Sequence, residues 1–363
     1  MRKSVLHMIL LLALMVVGSC AREEIIQESP RLFLRLRFSS PAIITKDDVG
    51  DVSAEENENK LTSLQVWVYR HSDGQFLGYL EPNVSEFENG EERRLYISLD
   101  ESVAKSRPDV DVYTVANLAS TGLTLTASST RDILNGAVLQ NCFFGNASNA
   151  VPESGLPYSG MKTCDLVGNF PVLNAGSVSL EKAVSRLRFV FCQVSDTDGE
   201  TPLNDFSITS ISLDGNMIPT QEYLFNTSEE AFRVNSVYEE NAVSIPVPDG
   251  AIPACLSPEQ YAYNGQNAEV YESLINSAVS ENKLCATPVY YFRESPLALT
   301  GSISYTIGNQ AGSVPFSMHD AGDFARNHSW IVYVYYSSGK IMFTSSYTPW
   351  TNGGDFSLTG DDV

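Results

Sequence analysis

Apolar residues recur at every second position in short segments along this chain, and polar turns separate the segments. Leu32, Leu34 and Leu36 alternate with Arg35 and Arg37, and Leu64, Val66 and Val68 alternate with Gln65, Trp67 and Tyr69. A period of two sends successive side chains to opposite faces of a strand, which suits strands with one wet face. On this pattern, together with β-branched and aromatic enrichment, strands are expected in the first half over 32–38, 64–69, 76–80, 94–99 and 110–118. In the second half they are expected over 183–194, 206–213, 232–234, 243–247, 289–292, 302–307 and 330–336. Helical periodicity is confined to 132–139 and 269–278. An α/β fold would need a long helix between successive strands, so the pattern predicts an all-β chain with few short helices, built as sandwiches.

Turn chemistry agrees. Ser72-Asp73-Gly74 supplies a side-chain acceptor and a residue tolerant of positive φ between two strand runs, which predicts a hairpin over 64–80. Asp214-Gly215-Asn216 and Ser337-Ser338-Gly339-Lys340 read as further turns. From Leu156 to Leu180 the chain is rich in Gly, Pro, Ser and Asn. That stretch is read as a linker, with a first domain over 20–177 and a second over 178–363. The acidic stretch 47–59 is expected to be an exposed loop.

Charge excludes one class of partner. The 363 residues carry 23 basic against 44 acidic side chains, a net charge of −21, so a polyanion is repelled and nucleic acid is not expected. Hydrophobic residues at 43% against 18% charged exclude a mainly disordered chain.

Arg2 and Lys3 precede an apolar run from Val5 to Val17, then Gly18, Ser19 and Cys20. A basic start, a short apolar run and small residues form a secretory signal over 1–19, too short for a membrane span of roughly 20 residues. Val16-Val17-Gly18-Ser19-Cys20 is similar to a bacterial lipobox, which would acylate Cys20; the alternative is ordinary cleavage beside an incidental cysteine. Acyl chains, palmitate among them, would then anchor the protein in a membrane without crossing it.

Cys142, Cys164, Cys192, Cys255 and Cys285 are widely spaced with no CxxC, so a zinc site is not expected. An odd number leaves at least one thiol free or bonded between chains. Cys142 with Cys164, and Cys255 with Cys285, are neighbours in sequence, without that fixing a connectivity. His71, His319 and His328 form no ligand motif. Ser102, Ser159, Ser179, Ser280 and Ser337 each precede a lysine by three, the SxxK spacing, but without SDN or KTG partners. Asp196-Thr-Asp198-Gly199 lacks the further ligands of a calcium loop. No enzyme, cofactor or metal is expected.

Several segments, taken in order, resemble the fimbrillin family, the lipoprotein subunits of Bacteroidota type V pili. They are the lipobox at Cys20; Leu64-Gln-Val-Trp-Val-Tyr69 with Asp73-Gly74 and Phe76; and Asp111-Val-Tyr-Thr-Val-Ala-Asn117-Leu118. In the second half they are the Arg-bearing run Leu180–Phe189, Tyr290-Tyr-Phe-Arg-Glu294, and Arg326-Asn327-His328-Ser-Trp330 with Val332 and Val334. The short acidic run after Cys20 is also similar to surface-export signals of such lipoproteins.

The resemblance implies two tandem transthyretin-like β-sandwiches and assembly with other fimbrial subunits by donor-strand exchange. A protease would free the first strand, and another subunit's terminal strand would fill the groove. Lys46, in a loop, is the favoured cut and Arg37 the second. The candidate donor is the tail from Lys340 to Leu358, with Ile341, Phe343, Phe356 and Leu358 as its apolar residues; the alternative is that the tail pairs within its own domain. The resemblance leaves stalk, tip and anchor roles open, the anchor keeping its lipid in the outer membrane. It also leaves open adhesion to a host protein or glycan. A surface glycan-binding lipoprotein is the competing reading, for which Trp67, Trp330 and Trp350 would have to be exposed.

Overall fold

The computed structural model describes residues 30–37, 60–84, 92–139, 151–176, 178, 180–194, 203, 205–226, 232–248, 252–266, 268–318 and 324–349. Nine strands build a first sandwich: β1 (Arg31–Arg37), β2 (Leu64–Arg70), β3 (Phe76–Leu80), β4 (Glu92–Ser98), β5 (Val110–Ala116), β6 (Tyr158–Cys164), β7 (Val167–Asn169), β8 (Val172–Asn174) and β9 (Glu181–Lys182). Their order is β4-β1-β8-β7 in one sheet and β3-β2-β5-β6-β9 in the other. Nine more build a second: β10 (Ser185–Gln193), β11 (Phe206–Leu213), β12 (Val243–Ile245), β13 (Cys285–Ala286), β14 (Tyr290–Phe292), β15 (Leu299–Ile307), β16 (Gln310–Met318), β17 (His328–Ser337) and β18 (Lys340–Pro349). These pair as β12-β11-β15-β16 and β13-β10-β17-β18, with β14 also on β10. The helices are α1 (Glu101–Ser106), α2 (Arg131–Asn135) and α3 (Ala268–Ser280). The all-β, tandem-sandwich expectation holds.

Each sandwich buries alternate residues of facing sheets. Leu32, Val66, Val68, Ile97, Val112 and Leu173 meet in the first core, and Phe189, Phe191, Ile303, Phe316, Trp330 and Val332 in the second. The expected wet face is absent where it matters most. Trp67, Tyr69 and Tyr113, on the far face of the first sandwich's sheet, are buried under residues 118–139 and Phe225. On the second sandwich, Val190, Cys192, Ile331 and Tyr333 lie under α3 and the segment around Tyr261. One sheet of each sandwich is therefore covered on both sides, and β5 and β10 are buried along their whole length.

The predicted hairpin over 64–80 forms, with Gly74 at φ +70° and Asp73 Oδ1 accepting from Gln75 N–H at 3.0 Å. Ser338 and Gly339, both at positive φ, turn β17 into β18. Asp132–Leu139 shortens to α2, whose Thr130 side chain caps Ile133 N–H, and Glu269–Ala278 extends to α3.

Other expectations are corrected. The stretch read as a linker contains β6, β7 and β8 and the approach to β9, because its Gly and Pro residues mark tight turns between short strands. Strand 232–234 reduces to an isolated bridge between Val234 and Glu222. The run 110–118 ends at Ala116, since Asn117 adopts φ +56°. β16 escaped sequence reading because Gly312, Ser313 and Pro315 dilute its pattern, which an edge strand tolerates.

Candidate functional site

The first strand occupies the middle of its sheet. β1 runs antiparallel to β4 from Arg31 opposite Ser98 to Arg37 opposite Glu92, and parallel to β8 from Arg31 to Phe33. Bonds at its start extend the ladders: Arg31 N–H donates to Pro171 O at 2.9 Å, and Leu99 N–H to Pro30 O at 3.0 Å. Leu32 is fully buried against the first core. β1 is the sole link between β4 and β8, so its departure would leave two facing ladders of unpaired backbone groups and an apolar slot at Leu32.

The last described strand lies at an edge. β18 pairs with β17 from Lys340 opposite Ser337 to Pro349 opposite His328, and holds no second strand among the described residues. Ile341 and Phe343 pack against their own sandwich's core, Phe343 edge-on to Phe316 with centroids 6.5 Å apart. Over 340–349 the chain thus adopts the intramolecular alternative for its tail. Arg37 closes β1, while Cys20, Lys46, Phe356 and Leu358 lie outside the described residues.

Sequence reading missed the joint between the sandwiches. Arg326 donates to Glu294 Oε1 at 2.7 Å and Oε2 at 3.2 Å, to Tyr223 O at 2.7 Å and to Leu224 O at 2.8 Å. It also reaches Ser159 Oγ of β6 at 3.4 Å. Glu222 accepts from Glu294 N–H at 2.8 Å, and burial pushes its carboxyl above the usual carboxylate range against the pull of Arg326. Val151, Leu156, Val184, Val289 and Tyr291 form a separate apolar cluster drawn from both halves of the chain, and Phe225 stands edge-on to Tyr113 at 5.1 Å. The only sequence signal was the pair of motifs ending in Glu294 and beginning with Arg326.

The other candidates take structural places. Trp67 donates from Nε1 to Thr126 O at 2.9 Å, and Trp330 stacks on Phe324 at 4.1 Å. Both tryptophans are fully buried, so neither offers a ring to a sugar; Trp350 lies outside the described residues. His71 Nδ1 meets Asp111 Oδ1 at 2.8 Å, and Asp111 also accepts from Thr163 and Arg131. His328 Nδ1 meets Arg326 O. His319, Asp196, Asp198 and Ser179 lie outside the described residues.

Ser102 and Lys105 share α1, but Lys105 is exposed and paired with Glu101. Ser159 and Lys162 lie in β6, where residues three apart face opposite ways. Lys283, after α3, pairs with Glu281, and Ser337 and Lys340 flank a hairpin turn. Among the described residues no group of three or more His, Cys, Asp or Glu stands close enough to hold a metal ion, and no helix is long and apolar enough to cross a membrane.

Residues 33–165 match the family model described as "Major fimbrial subunit protein (FimA)". Among solved structures, the chain is similar to a protein with a cell-adhesion description from Parabacteroides distasonis ATCC 8503, at TM-score 0.54 and 12% identity over 90% of this chain and 98% of that one. A second with the same description, from Bacteroides eggerthii DSM 20697, gives 0.50 and 12% over 89% and 96%. The tip fimbrial protein Mfa3 from Porphyromonas gingivalis, with a C-terminal truncation, gives 0.46 and 13% over 89% and 100%. At 12% identity the likeness to the first two is one of fold. No curated protein matches the chain.

Proposed function

We propose that this chain, whose residues 33–165 match the major fimbrial subunit model, is a structural and adhesive subunit of a cell-surface fimbria that polymerises by donor-strand exchange. The observation that carries the reading is the position of β1. A terminal strand held between two others, with Leu32 seated in the core, is the element whose removal creates a groove of the right shape for another subunit's strand. The chain reaches the surface as an outer-membrane lipoprotein on Cys20, and its partners are other fimbrial subunits.

Lys46 is the favoured cut. Arg37 still pairs with Glu92 at the end of β1, so a protease acting there must first open the ladder. On the donor side, β18 at an edge can leave without breaking the pairing of β10 with β17. Ile341 and Phe343 in it, with Phe356 and Leu358 further on, are the residues that would enter a neighbour's groove.

An anchor role is the second reading. It is favoured by a chain in which β1 and 340–349 are both already paired internally. Such a chain, unprocessed, keeps its lipid and closes a fibre at the membrane.

The test mixes the full-length chain with a form cleaved after Lys46 and separates the products in mild detergent. Detergent-resistant ladders from the cleaved form alone are expected. Monomer in both samples would overturn exchange and leave the anchor reading, and ladders from the uncleaved chain would overturn the role of β1.

A further inference from the structure

Two cysteines distant in sequence meet on one face of the second sandwich. Cys192 lies in β10 and is fully buried, while Cys255 belongs to an extended segment running beside the end of that strand. Gln193 N–H donates to Pro253 O at 2.9 Å, Cys255 N–H donates to Gln193 O at 2.9 Å, and Gln193 bridges Ala254 in parallel. Side chains alternate along extended backbone, so Gln193 and Ala254 share one side and Cys192 and Cys255 the other. Both cysteines pack in the cluster beneath α3, where burial first and the Cys255 thiol second push the Cys192 thiol up. Cys285 stands opposite Phe191 in β13 but packs in the core on the other face, so the sheet separates it from Cys255, its neighbour in sequence. Cys192, Cys255, Cys285 and Cys164 are all free thiols in this structure.

We propose that Cys192 and Cys255 form a dithiol pair that closes to an intramolecular disulfide when the chain meets a disulfide oxidant. Cys255 is half-buried, with Gln260 Nε2 donating to its Sγ at 3.4 Å, and is the thiol an oxidant can reach. Cys192, fully buried, is shielded from the oxidant and is left for the second, intramolecular step.

Cys255 Sγ, as thiolate, attacks one sulfur of the oxidant's disulfide, forming a mixed disulfide and releasing the first oxidant thiol. Cys192 Sγ loses its proton and attacks Cys255 Sγ, which expels the second oxidant thiol. Two protein thiols are oxidised and one disulfide is reduced to two thiols, so atoms and electrons balance. The bond ties the 252–266 segment to β10 and closes a loop of about 60 residues in the unfolded chain, which predicts a melting temperature several degrees higher.

The export reading would supply the oxidising compartment. The chemistry is tested on the purified full chain, so its failure leaves that reading standing. The chain is treated with oxidised glutathione, denatured, alkylated and digested, and the peptides are mapped by mass. A Cys192–Cys255 linked peptide is expected, with Cys164 and Cys285 alkylated. Alkylation of both Cys192 and Cys255 after oxidation, or linkage of Cys255 to another cysteine, would overturn the proposal. In Cys192→Ser, Cys255 is expected to retain glutathione as a mixed disulfide; a Cys255 as free of adduct as in the parent would also count against it.

Discussion

Arg326 and Glu294 form a bidentate ion pair with 3% and 0% of their side chains exposed, and the same guanidinium reaches backbone carbonyls at residues 223 and 224. A buried charge pair of this kind is held by geometry and by complete hydrogen bonding, because the desolvation of both ions is costly. It ties the second sandwich to β6 of the first through Ser159.

Arg326→Met should therefore cost about 3–5 kcal/mol in urea denaturation, because Glu294 is left buried without its cation. The double variant Arg326→Met with Glu294→Gln should recover part of that loss. Equal costs for the single and double variants would show that the charges are not coupled.

Glu222 provides a pH dependence. Its folded-state carboxyl titrates above the ordinary value, chiefly through burial and secondarily through Glu294, so from about pH 5 upward the folded chain holds a proton that the unfolded chain has lost. Stability from this group is present at low pH and is lost as pH rises through the folded value, by at most about 1.4 kcal/mol per pH unit. Glu222→Gln should flatten that slope. Melting curves of the two proteins should diverge as pH rises, with the variant the more stable at the alkaline end.

Asn117 ends β5 at φ +56°, and its fully buried side chain accepts from Thr62 N–H at 2.8 Å and donates to Lys60 O and Leu156 O at 2.7 Å each. Asn117→Ala should cost about 3 kcal/mol, because a left-handed alanine is strained and the partners lose their bonds. Asn117→Gly should cost less than Ala if backbone strain contributes, a difference that equilibrium unfolding resolves.

Leu32→Ala should cost about 2–4 kcal/mol through the cavity left in the first core. After cleavage in the segment between β1 and β2, it should also speed release of the β1 peptide, measured by size-exclusion chromatography of the cleaved chain. An unchanged release rate would show that the backbone ladders alone hold the strand.

Much of the fold was legible locally. Phe76–Leu80 and Phe206–Leu213 coincide with the spans that alternation and β-branched content mark out, and Asp73-Gly74 sits at the turn it signals. Less of the candidate site was visible. Alternation identified the segment that becomes β1, but its central position depends on β8, from a stretch whose Gly and Pro content reads as linker. Trp67 and Tyr69 looked like an outer face because nothing within the run says that residues 118–139 fold over them.

Period and turn chemistry act between near neighbours, so the amino-acid order alone settled that the chain is all-β and where many of its strands run. Pairing across long separations was settled by packing. The parallel match of β10 with β17, the burial of Arg326 against Glu294 and the placing of Cys192 and Cys255 in one cluster each depend on several distant segments arriving together. A strand offers two equivalent edges and two faces, and only the closed sandwich decides which partner takes each.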